Sequence, residues 1–206
     1  MSTDELARVD GRRARRERNR AAVIDALLSL IDEGGFPPST DDIAERAGVS
    51  VSSLFRYFES LDDLQEQTIE RHLERFAGLF EITATGVGPL ADRIDQLVDA
   101  RITLYRSIAP VARLARSRSF DNSRVAEKLA EIRAGFIRQI RDHFAPELAT
   151  LPRADGNDLV VLIDTLTSFE SWDLARTTHD CSDRLVRRAW TAGLTGISGR
   201  FVPARA

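Results

Sequence analysis

The residues best placed to do chemistry run from Thr40 to Phe58, TDDIAERAGVSVSSLFRYF. The chemistry they fit is recognition of another molecule, not bond making. Ile43, Ala44 and Ala47 are the apolar or small positions of a short helix. Gly48 ends that helix, because a left-handed residue costs glycine no Cβ clash. Ser50 can cap a second helix, in which Leu54 and Phe58 fall one turn apart on the buried side. Two short helices joined by so tight a turn make a helix-turn-helix, a unit that lays its second helix in a DNA major groove.

Charge upstream of this unit points the same way. The chain has a formal net charge of only -3, yet seven arginines between Arg8 and Arg20 stand against Asp10 and Glu17, a local net of +5. Residues 1–17 hold almost no apolar side chains and read as a flexible basic arm. Such an arm either attracts phosphates and enters a minor groove, or is a solvated tail.

Other chemistry lacks a pattern. The chain carries no Gly-X-Ser-X-Gly, no phosphate loop and no dinucleotide fingerprint, so no catalytic residue is expected. His179 and Cys181 flank Asp180, a poor spacing for a metal, and His72 and His143 are isolated; neither metal nor cofactor is expected. The single cysteine excludes an internal disulfide and fits a reducing compartment. With no signal-type run and no window of membrane-span length, the expectation is a soluble cytoplasmic protein with no membrane partner.

The elements around the motif are all helical. From Arg18, the residues Val23, Ala26, Leu27, Leu30 and Ile31 form one apolar stripe. Gly34-Gly35 stops it, Phe36-Pro37-Pro38 is a rigid link, and Thr40 is the expected cap of the next helix. Ser60 caps a long connecting helix over about 60–82, and the loop at 85–89 marks a domain boundary. Beyond it, the pattern predicts helices over about 90–107, ended by the approach to Pro110, then 111–116, 124–144, 155–178 and 182–199. No strand alternation occurs anywhere. The fold class is all-α, about nine helices: an N-terminal helix-turn-helix domain over 18–62 and a helical domain over 83–206.

The stretch Ile43-Ala44-Glu45-Arg46-Ala47-Gly48-Val49-Ser50, followed by Leu54-Phe55-Arg56-Tyr57-Phe58 and a capped long helix, resembles the TetR family of bacterial transcriptional regulators. The resemblance covers residues 18 to about 75. It implies a homodimer whose heads bind a palindromic operator in double-stranded DNA, usually as a repressor. It also implies a C-terminal domain that binds a small-molecule effector and releases the DNA, and a four-helix interface built from the last two helices of each copy.

Carried onto matching positions, the resemblance implies that Thr40 and Ser50 cap helices near phosphates and that Ser52 and Ser53 start the exposed recognition helix. Phe55 stands where tyrosine is usual; it can meet a thymine methyl but cannot donate to phosphate. Arg56 is the candidate for a bidentate guanine contact, and Tyr57 for a hydroxyl donated to phosphate. Val51 and Leu61 depart from the polar residues common at their positions. Arg12, Arg13, Arg15 and Arg16 of the arm are expected to supply the missing grip.

In the second domain, Ile94, Leu97, Val98, Arg101, Tyr105 and Ile108 share a helix face. Arg101 either snorkels from its edge or is a buried guanidinium facing an anionic ligand or a carboxylate. The stretch Thr167-Ser168-Phe169-Glu170-Ser171-Trp172-Asp173 resembles the family's penultimate helix, so Phe169 and Trp172 either line an effector pocket with Tyr105 or simply fill the core. Small residues mark the last helix, and Ala189, Trp190, Gly193, Gly196 and Ile197 are the expected dimer contacts, the glycines' helix cost being offset by close approach. Two rival readings stand beside the effector-released repressor. One is a DNA-binding regulator with no small-molecule effector, expected if the core is filled; the other is a helical enzyme or adaptor that docks through its head.

Overall fold

The computed structural model describes residues 3–34, 38–83 and 85–201, with backbone alone for 3–12. The helices are α1 (Thr3–Asp32), α2 (Thr40–Arg46), α3 (Val51–Tyr57), α4 (Leu61–Arg75), α5 (Leu90–Arg118), α6 (Ser123–His143), α7 (Ala145–Leu148), α8 (Arg153–Leu166), α9 (Phe169–Thr177) and α10 (Asp183–Phe201). A 3-10 turn over Ala77–Phe80 follows α4. Among the described residues there is no strand, so the all-α expectation holds. No helix among them is long and apolar enough to cross a membrane.

The head forms because three short amphipathic faces cover one another. Val23, Ile24, Leu27 and Ile31 of α1 are buried with Ile43 and Ala44 of α2, Leu54 of α3 and Phe58. The same core continues into the rest of the chain, where α5 packs against α1, α4, α6, α9 and α10 and is the central post of the molecule. Its buried residues, from Arg93 to Ala115, take up most of its circumference and leave one exposed face with Gln96, Asp99, Thr103 and Arg106.

Several boundaries differ from the sequence expectation. The basic arm continues α1 back to Thr3 as helix, where a flexible segment was expected. Proline did not end α5, which runs through Pro110 to Arg118. A helix-interior proline costs about 3 kcal/mol, and the buried Ile108, Ala109, Val111 and Ala112 around it outweigh that. The long helix expected over 60–82 stops at Arg75 and gives way to the 3-10 turn. The helix expected over 155–178 breaks at Thr167-Ser168, where Ser168 accepts from Ser171 N–H at 3.1 Å and caps α9. The glycine stop and proline link at 35–37 lie outside the described residues.

Beside the start of α5 lies a buried polar cluster. Arg93 is 2% exposed and forks onto Glu147, with one contact at 2.7 Å, and also donates to the His143 carbonyl at 2.7 Å. His143 is fully buried; its Nε2 meets the Arg93 carbonyl at 2.8 Å and its Nδ1 accepts from Gly86 N–H at 3.3 Å. The loop at 85–89 is thereby fastened to the end of α6.

Candidate nucleic-acid interface and effector cavity

Local hydrogen bonding sets the recognition helix in place. The cap of α2 is Ser39, not Thr40: its hydroxyl accepts from Asp42 N–H at 3.1 Å while the Asp42 carboxylate accepts from Ser39 N–H at 3.2 Å. Thr40 is the first residue of the helix proper, and half-buried. Gly48 makes the turn with a φ of +66°, a value that disfavours other side chains. Ser50 caps α3 as expected, accepting from Ser53 N–H at 3.2 Å.

The outer face of α3 presents Ser52, Phe55 and Arg56 to solvent. Phe55 is 46% exposed, an apolar ring held in water. The Arg56 guanidinium lies 3.3 Å from the Ser53 hydroxyl. Tyr57 is half-buried against α1, where Asn19 donates to its hydroxyl oxygen at 2.7 Å. That hydrogen bond, helped by the Arg56 charge, holds the phenol below its ordinary value.

Two α1 arginines grip the end of α3 instead of pointing only outward. Arg16 donates to the Arg56 carbonyl at 3.4 Å and Arg20 to the Tyr57 carbonyl at 3.2 Å, satisfying carbonyls that a helix C-terminus leaves open. Arg20 also lies 5.0 Å from the Phe58 ring centre and bonds Gln67. Arg15, Arg16, Asn19, Ser50, Ser53, Arg56 and Tyr57 therefore border one open cleft between α1 and α3. Arg13 is exposed nearby, and the side chain of Arg12 lies outside the described residues. Asn19 and Arg20 were missed in the sequence; an asparagine and an arginine one helical face from Arg16 were the available signal.

A cavity of about 290 Å³ lies between α4, α5, α6 and the α8–α9 junction. Ile69, Val111, Ala112, Leu129, Phe136 and Phe169 give it an apolar wall, and Tyr105 stands on it. Its charged rim is internally balanced: Arg116 meets Glu170 at 2.7 Å, and Arg133 meets Asp164 at 3.1 Å and Glu170 at 3.4 Å. Burial would raise the Glu170 carboxyl, but the Arg116 hydrogen bond and charge hold it below its ordinary value. Phe80 and Phe136 stack with centres 5.9 Å apart and stand between the cavity and an open cleft bordered by Ala77, Glu81 and Ile82.

Of the expected ligand residues, Tyr105 and Phe169 line the cavity; Arg101 and Trp172 do not. Trp172 packs behind them, 5.7 Å from Phe169 and 6.2 Å from Tyr105 between ring centres. Tyr105 donates to the Thr167 carbonyl at 2.9 Å, and burial pushes its phenol up to about 12. The α6 wall residues Leu129, Ile132 and Phe136 went unread, although their three- and four-residue spacing was visible.

Arg101 does not snorkel. It is 2% exposed, its guanidinium carbon stands 3.8 Å from the centre of the Phe136 ring, and its Nη2 is buried with no hydrogen-bond partner. Burial lowers its proton affinity, against the opposing pull of Tyr105 and of Asp164. A desolvated cation–π contact is worth about 2 kcal/mol, whereas burying an ion costs several kcal/mol. Arg101 therefore holds a charge that the ring alone does not offset.

The expected dimer residues divide. Trp190 is 3% exposed and packs on Tyr105, with ring centres 6.5 Å apart, so it belongs to the protomer's own core. Gly193 faces α8, where a Cβ would come within 2.9 Å of Leu166 Cδ2. Ala189 and Gly196 are exposed and Ile197 is half-buried. On the neighbouring α8, Val161 at 61% and Leu162 at 42% are large apolar residues exposed among the described residues.

Comparison with known proteins bears on the family and the fold. Residues 23–68 match the family described as bacterial regulatory proteins, tetR family. The chain is 31% identical over 159 residues to the HTH-type transcriptional regulator BetI of Burkholderia mallei, covering 73% of this chain and 80% of that protein. It is 34% identical over 89 residues to the HTH-type transcriptional repressor KstR of Mycolicibacterium smegmatis, 43% of each chain. Among solved structures, a tetR-family transcriptional regulator from Streptomyces coelicolor superposes with a TM-score of 0.62 at 22% identity, over 89% of this chain and 83% of that one. A transcriptional regulator from Rhodococcus sp. Rha1 also gives 0.62, at 18% identity, over 91% and 99%.

Proposed function

Because the chain belongs to the TetR family of bacterial regulatory proteins, we propose that it is a repressor released from a palindromic operator by a small molecule held in the cavity beside Tyr105 and Phe169. It is a DNA-binding transcriptional regulator of a family of regulators, not enzymes, and it acts as a dimer. Operator binding in the cell interior makes it a cytoplasmic protein.

The observation carrying the effector reading is the cavity itself: about 290 Å³ of largely apolar space where a regulator without an effector needs only a filled core. The cavity touches α4 through Ile69 and Leu73, and α4 begins beside the recognition helix with Ser60 accepting from Asp63 N–H. A ligand that binds better to one placement of α4 and α9 shifts the population toward that spacing of the two heads. Successive major grooves fix the spacing that DNA accepts.

In this reading Arg56, with Ser52 and Ser53, meets base edges, Phe55 meets a thymine methyl, and Tyr57 donates to a phosphate. Arg12, Arg13, Arg15 and Arg16 supply sequence-independent grip, with Ser50 and Thr40 near the backbone. Partners pair through the exposed faces of α8 and α10, around Val161, Leu162, Ala189 and Gly196.

The test begins with genomic fragments selected by the full-length protein, followed by a screen for small molecules that raise its melting temperature. Molecules that do so should lower operator affinity in wild type and leave it unchanged in Ala112→Phe, which fills the cavity. Release that persists in Ala112→Phe would place the effector elsewhere; no stabilising molecule that releases DNA would favour an effector-free regulator.

A further inference from the structure

The cavity's rim charges cancel in pairs, Arg116 and Arg133 against Glu170 and Asp164, while among the described residues Arg101, against the Phe136 ring, forms no ion pair and feels Asp164 only from beyond ion-pair distance. From this we infer that the effector is an amphipathic monocarboxylate, its apolar body in the cavity and its carboxylate on Arg101 after the Phe136 ring moves aside. The inference rests on the effector reading of this same cavity and names the chemical class that fits it.

Three observations converge on that class. First, Arg101 is almost fully buried and one of its terminal nitrogens, Nη2, is buried without an acceptor. Most buried donors have partners, and a guanidinium matches a carboxylate through parallel N–H···O contacts. Second, the guanidinium lies against the face of Phe136, which is itself a wall of the cavity and stacks on Phe80 across the boundary with the outer cleft. Rotation of this pair would open a path from solvent and expose Arg101 in one movement. Third, the charge count favours a single negative charge. Among the described residues one cation, Arg101, lacks an ion-pair partner, and a dianion would also face the acids Asp164 and Glu170 on the wall.

Size fits as well. About 290 Å³ stands at the lower end of small-molecule pockets, which run from roughly 300 to 1,000 Å³. A chain of medium length fills that space.

The experiment compares three probes of one chain length, decanoate, decan-1-ol and decylammonium, titrated calorimetrically into the full-length dimer below their aggregation concentrations. Wild type should bind decanoate about tenfold or more tighter than decanol, as one charge-assisted bidentate contact supplies. Arg101→Gln should remove that preference and leave decanol affinity within about twofold. Arg101→Lys, which keeps the charge and loses the planar fork, should retain part of it. Decanol binding as tightly as decanoate in wild type would overturn the monocarboxylate and leave the cavity reading standing, and that comparison needs no variant. A decanoate preference that survives Arg101→Gln would overturn the role of Arg101. Failure of all three probes to bind would overturn both this inference and the reading of the cavity as an effector site.

Discussion

Tyr105 and Thr167 are 62 positions apart in the chain and joined by one buried hydrogen bond, the tyrosine hydroxyl donating to the threonine carbonyl at 2.9 Å. Thr167 is the point at which α8 ends and α9 begins, so its carbonyl has no continuing helix to accept from. Tyr105 supplies the missing donor and stands on the cavity wall at the same time. The junction between two helices and the surface of the cavity are thus one structural unit.

Tyr105→Phe keeps the ring and removes the donor. Leaving a buried carbonyl unsatisfied costs about 1–3 kcal/mol, so the urea midpoint should fall by that energy divided by the slope, with the slope itself unchanged. No change in midpoint would mean the α8–α9 break does not depend on this bond.

The charges of Arg113 join three helices. From α5 it holds Asp173 of α9 at 2.9 Å and approaches Asp32 at the end of α1 at 3.5 Å. Because α9 starts on the cavity wall, this link is a second route from cavity to head beside α4. Arg113→Ala should leave effector affinity nearly unchanged while reducing the coupling between effector and operator, a quantity that is typically about 1–3 kcal/mol. Measuring operator affinity with and without effector tests it; undiminished coupling would confine transmission to α4.

Arginines on α1 should register as salt dependence. Each neutralised phosphate contributes about 0.9 to the slope of log affinity against log salt. Replacing Arg13 and Arg15 by alanine removes four arginines from the dimer, so it should lower the operator slope by at most about 3.6 units and weaken specific and non-specific DNA alike. Arg16 differs, since it also bonds the Arg56 carbonyl, and its alanine variant should additionally blur base preference. An unchanged slope in the Arg13/Arg15 variant would remove those residues from the interface.

Stability should fall in mild acid through His143. Burial, reinforced by the nearby Arg93 charge, holds its folded value below the ordinary 6.5, despite the Arg93 carbonyl that favours the proton. The unfolded chain therefore takes up the proton first, so the contribution is present above about pH 6.5 and is lost as pH falls toward the folded value. Protonation would also set an N–H against Gly86 N–H, where Nδ1 now accepts. Unfolding midpoints between pH 7.5 and pH 5 should fall in wild type and fall less in His143→Gln; the residual decline belongs in part to His72, which burial also depresses. An equal decline in the variant would contradict this origin.

Much of the head was legible because its signals are local. Gly48, the Ser50 cap and the Leu54–Phe58 pair act within one turn of themselves, and the structure realises each of them. Misplacing the α2 cap by one residue reflects a choice between Ser39 and Thr40 that both chemistries allow; the Asp42 side chain, reaching back to Ser39, decides it. The core was harder. Pro110 signals a stop by local rules, yet burial on both sides carries α5 through it. Trp190 reads as an interface knob on one helix and becomes core only once α5 brings Tyr105 to it. The burial of Arg101 depends on Phe136, a residue on another helix that its own stripe cannot reveal.

Direct readout by Arg56 is the claim on which the regulator stands most squarely. Fluorescence anisotropy of the full-length protein on a selected genomic fragment, against a shuffled fragment of equal composition, tests it at physiological salt. The selected fragment should bind about a thousandfold or more tighter. Arg56→Ala should cost about 1–3 kcal/mol for each half-site of that fragment and little on the shuffled one. Equal binding of the two fragments by wild type, or discrimination left intact in Arg56→Ala, would contradict the account.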